Sequence, residues 1–61
     1  MAPTPGHREL SPNEVERISA IRDAGLGFME VLDLQTPGRE ISLARTKVEE
    51  AIMWAVKGVT D

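Results

Sequence analysis

Arg22 and Arg45 are permanent cations set among apolar residues. Arg22 falls one turn after Ile18 and one turn before Gly25 and Leu26, and Arg45 projects between Ile52 and Val56. A guanidinium in apolar surroundings must be paired with an acid, bound to an anion or extended to water, because burying an unpaired charge is prohibitive. Its planar fork of donors suits two parallel contacts to a phosphate, which makes phosphate the anion these positions favour. Glu49, four residues after Arg45, offers that arginine a partner on the same helix face. The positions three and four residues from Arg22 hold Ile18, Ser19, Gly25 and Leu26, with no acid among them. Spacing alone leaves pairing, snorkelling and anion binding open.

His7 and Arg8 stand just before the first helix, where free amide N–H groups and the helix dipole also favour anions. A histidine ring can stack on a nucleobase while Arg8 supplies charge; an exposed polar tail is the other reading. Phe28 and Trp54, the two aromatics, sit on or beside apolar flanks and read as packing residues. Catalytic machinery is missing. There is no cysteine or tyrosine, no third group orders the serines and the single histidine into a triad, and the carboxylates fall on solvent faces. The "GLG" at residues 25–27 lies inside a helix, so it is no phosphate loop. A non-enzymatic binder of an anionic ligand, without metal or cofactor, is the expectation.

The chain that carries these residues is short. Sixty-one residues make one domain at most, and such chains normally need disulfides, a metal or oligomerisation to be stable. With no cysteine and one histidine, self-association remains. No apolar run is long enough to span a membrane, and nothing resembles a signal peptide. A net charge of −3 argues against a general binder of DNA or RNA duplexes, which needs many cations against phosphates. One small anion in a local basic pocket is still compatible with it.

Hydrophobic periodicity predicts an all-α chain with three parts. Residues 1–10, with two prolines and a glycine, form an N-terminal arm. Residues 11–34 form helix one, opened by a capping box of Ser11 and Glu14 with Pro12 at its first position, and by a staple of Leu10 and Val15. Its stripe runs Val15, Ile18, Arg22, Gly25, Met29, Leu32, and the glycines in its middle suggest close approach by another group or mere tolerance. "QTPGRE" is the break, with Thr36 and Pro37 as N-cap and first residue of helix two, residues 38–57. The seam of helix two is Ile41, Ala44, Val48, Ala51, Ala55, with Ile52 and Val56 extending it. So short a connection makes the helices an antiparallel hairpin. Apolar residues cover more of both helices than one hairpin can bury, and homo-oligomeric packing is the economical use for the surplus.

The segments "GHRELSPNEVERISAIRDAG" and "LARTKVEEAIMWAVKGV" together resemble the small phage-encoded anti-CBASS protein 2 family, over about residues 6–59. The most specific part is "ARTKVEEAIM", similar to the family pattern A/G-R-T-x-L-Q-x-x-x-M. The resemblance implies a homohexamer that sequesters cyclic di- and trinucleotide messengers uncleaved, in the cytoplasm of the infected bacterium, and so silences CBASS effectors. It implies a cyclic dinucleotide pocket served by His7 and Arg22, where the family often has tyrosine and lysine. It also implies a cyclic trinucleotide pocket served by Arg45, with Thr46 and Arg8 as neighbours. Both pockets would form between protomers. The alternative class is a helical-hairpin protein–protein interaction module with no small ligand.

Overall fold

The computed structural model describes residues 9–61. It contains two α-helices, α1 (Pro12–Asp33) and α2 (Arg39–Thr60), and no strand among the described residues. Gly25 of α1 faces Ile52 of α2, while Asp33, further along α1, faces Arg45, earlier in α2. The two helices therefore run antiparallel, as the hairpin reading expects.

Local chemistry sets where α1 begins. The Ser11 amide donates to Glu14 Oε1 at 3.0 Å and the Glu14 amide donates to Ser11 Oγ at 3.2 Å, so the capping box is closed on both sides. At its far end the Leu34 and Gln35 amides donate to the carbonyls of Val31 and Leu32, at 3.2 and 3.0 Å. The Gln35 side-chain amide donates to the Val31 carbonyl as well, at 3.0 Å, so the Val31 and Leu32 carbonyls are satisfied without a left-handed glycine cap.

The start of α2 departs from expectation. Its N-cap is Gly38, with extended backbone and no side-chain cap, rather than Thr36. Reversing the chain over residues 34–38 takes up Thr36 and Pro37 in the connection itself, and the first helical amide bond is Ser42 N–H to the Gly38 carbonyl, at 3.0 Å. The helix also runs on to Thr60, beyond residue 57. Val59 is half-buried and so extends the apolar seam past Gly58. Thr60 and Asp61 then close the end by donating to carbonyls of the last turn.

The seam differs in detail. Ile41, Ala44, Val48, Ile52, Val56 and Val59 are the half-buried apolar positions of α2, whereas Ala51 and Ala55 are exposed. Turning Ile52 rather than Ala51 and Ala55 inward removes more apolar surface from water. Gly25 makes this possible: a Cβ there would sit 2.6 Å from Ile52 Cγ1. Gly27 has nothing within 4 Å and is simply tolerated within the protomer. Arg22 lies at the edge of the α1 stripe and is exposed, while the inner line passes through Ile18, Ile21, Gly25, Met29 and Leu32. Among the described residues only Ile18 and Leu32 are buried, each 8% exposed. Leu26, Phe28, Val31, Leu34, Met53 and Trp54 all stay more than half exposed.

Candidate functional site

The contact between Asp33 and Arg45 defines two broad faces of the hairpin. At about 100° per residue, Val15, Arg22, Leu26 and Asp33 share one flank of α1, and Ser42, Arg45, Glu49 and Met53 share one flank of α2. Asp33 touches Arg45, so these two flanks lie on the same face. The opposite face is an open apolar groove lined by Ile21, Ala24, Phe28, Ala44, Val48, Ala51, Ile52 and Ala55, with Lys47 at its border. Both arginines therefore belong to the face away from the groove.

Arg45 is near the connection end of this face. Its Nη1 donates to Asp33 Oδ1, and the side chains of the pair are 39% and 61% exposed. The expected partner Glu49 is thus displaced by an acid from the other helix. Asp33 ends α1, where the helix dipole disfavours a negative charge, and the last turn of α1 holds no basic residue. Arg45 supplies the missing cation. Thr46, beside it, is exposed, and its hydroxyl donates within its own helix to the Ser42 carbonyl at 3.2 Å. Both hydroxyl lone pairs remain available to a donor.

Arg22 is at the other end. It lines a shallow depression with Leu10, Val15, Ile18, Ser19 and Asp23. Among the described residues its guanidinium makes no ion pair and no hydrogen bond. Eleven positions of α1 separate it from Asp33, or roughly 16 Å at 1.5 Å per residue. The structure therefore does not bring Arg22 and Arg45 into one cluster. His7 and Arg8 lie outside the described residues; Leu10, which closes the Arg22 depression, follows them in sequence.

Asp33 is the residue that sequence reasoning missed. A search for acids three or four residues away cannot find a partner on another helix. The signal was nevertheless present: an acid at a helix C-terminus, followed by a connection short enough to fold the next helix back onto it.

The family model of the Acb2/Tad1 hairpin domain matches residues 2–60. The chain belongs to that family. No curated protein and no solved structure matches it. Members of the Acb2/Tad1 family are phage sponges directed against the CBASS and Thoeris defences, built on a binding domain that is not known to be catalytic. In this Acb2/Tad1 hairpin the described helices offer two separated cations on one face and an apolar groove on the other. Among the described residues no helix is long and apolar enough to cross a membrane.

Proposed function

We propose that the protein binds cyclic oligonucleotide second messengers and holds them uncleaved in the cytoplasm of an infected bacterium, which deprives CBASS-type defences of their signal. The observation that carries this reading is Arg22, an exposed cation without a partner among the described residues, in a depression bordered by Leu10 and Val15. An apolar wall beside a free guanidinium suits a nucleotide, which presents a base face and a phosphate together. His7 and Arg22 serve the cyclic dinucleotide. Arg45, with Thr46 and Arg8, serves the cyclic trinucleotide. The roughly 16 Å between the two arginines along α1 supports two pockets rather than one. Each pocket is completed by a neighbouring copy in a homohexamer, which the exposed Phe28, Leu26 and Trp54 support.

A second reading, an interaction module with no small ligand, is favoured by the apolar groove, a surface able to take a partner helix. One experiment separates the two. The protein is incubated with a cyclic dinucleotide or trinucleotide, separated from free ligand and denatured, and the nucleotide recovered is weighed by mass spectrometry. The sponge returns it bound and intact. Release of linear product, or no bound nucleotide at all, overturns the sponge reading.

A further inference from the structure

We infer that Asp33 is an affinity-setting residue: an internal counter-anion that occupies Arg45 and that an incoming phosphate must displace. This rests on the proposed role of Arg45 in ligand binding, and it assigns to that site a threshold that the arginine alone does not have.

Three observations support it. Arg45 donates through Nη1 to a single carboxylate oxygen, so the site is already neutralised before any ligand arrives. The carboxylate is tethered across a short connection, and such tethering gives effective concentrations in the millimolar range. Asp33 also has a standing reason to return to Arg45, because it ends α1 where the dipole is adverse and no base of its own helix is near.

The pair is also able to open. Both side chains reach water, at 39% and 61% exposure, so neither is stranded in a dry interior when they part. Competition by Asp33 weakens every anion at Arg45 by the same factor. For a ligand held by contacts elsewhere the factor is immaterial, since its binding stays saturated. For inorganic phosphate or a mononucleotide, present at concentrations near its own weak dissociation constant, the same factor decides whether the site fills. Asp33 thereby sets how far weakly held phosphates fill Arg45, while the ratio of affinities between one anion and another stays as the rest of the site makes it.

The experiment titrates inorganic phosphate into the intact protein and follows the Arg45 Nε–H resonance, assigned by its loss in Arg45→Lys. Asp33→Asn is expected to reach half-saturation at up to about fivefold less phosphate than the native protein, the limit for an exposed ion pair. Asp33→Glu returns the native curve, and Glu30→Gln, which removes a charge elsewhere on α1, leaves it unmoved. A merely structural role for Asp33 lowers the melting temperature and gives no gain in phosphate affinity. Identical phosphate curves for the native protein and Asp33→Asn overturn the inference, as does an equal gain from Glu30→Gln. Calorimetry with a cyclic trinucleotide is run on the same variants. If the native protein ignores that ligand while Asp33→Asn still gains phosphate affinity, the ligand assignment fails and the role of Asp33 stands.

Discussion

Arg22 and Arg45 differ in what surrounds them, and their substitutions should differ accordingly. Arg22 is exposed and without a partner among the described residues, so Arg22→Glu is expected to abolish cyclic dinucleotide binding while helicity and assembly survive. Calorimetry beside light scattering checks both halves, and an intact assembly with native affinity would refute the assignment. Arg45→Ala removes a charge-assisted contact worth about 1.5–3 kcal/mol, or one to two decades of trinucleotide affinity, and leaves dinucleotide affinity nearly unchanged. It also strands Asp33 at the end of α1, at a cost of about 0.3–1 kcal/mol in stability. Asp33→Asn in the same chain removes that second effect, and the double variant isolates the first. The chemistry of both cations was legible in the sequence because a charge within an apolar stripe is conspicuous. The partner of Arg45 was not, because it depends on how two helices are aligned, an alignment that sets Gly25 against Ile52.

Helix α1 carries two glycines that look alike in sequence and are unlike in space. Gly25→Ala gains about 1 kcal/mol of helix propensity but drives its new methyl into Ile52, and overpacking of this kind costs about 1–3 kcal/mol. Net destabilisation is expected, with Ile52→Val in the same chain restoring part of it. Gly27→Ala meets nothing within 4 Å in the protomer and should raise stability by up to about 1 kcal/mol. Thermal melts of both variants at one concentration decide the matter. A loss from Gly27→Ala would place a neighbouring copy against that position. The first turn of α1 offers a cleaner case: Ser11→Ala opens the capping box and should cost about 1 kcal/mol. That cap, the stripe and the break were all readable from residue type and spacing. The N-cap of α2 was not. Thr36 and Pro37 have the right chemistry for a helix start, but the chain needs them to turn round.

At the scale of the molecule, the two side chains buried among the described residues, Ile18 and Leu32, are a small core for an independent fold. Small chains bury a small share of their surface and normally need self-association or a staple to hold two helices of 22 residues. The helicity of the protein is therefore expected to fall on dilution, and mass measurement at micromolar concentration should give six chains. A helical monomer at the lowest concentrations would overturn this. Phe28→Glu, in the middle of the apolar groove, should shift the protein towards unassembled and unfolded chain together, because one surface serves both ends. Sequence pattern announced this surplus of apolar faces, and the structure shows which one is a continuous groove.

The connection of residues 34–38 has a consequence in time. Closing a loop of this length takes on the order of 10–100 ns, and a helical hairpin has only local contacts to find, so each chain samples the paired arrangement many times before it meets another. For an obligate oligomer the slow event is then encounter. At association rates of about 10⁵–10⁷ M⁻¹s⁻¹, a micromolar pool matures in roughly 0.1–10 s. The delay shortens in proportion as chains accumulate, so the onset of sequestration follows the square of the amount synthesised rather than the amount itself. Stopped-flow fluorescence of Trp54 after dilution from denaturant, repeated over a range of protein concentrations, reads that dependence directly.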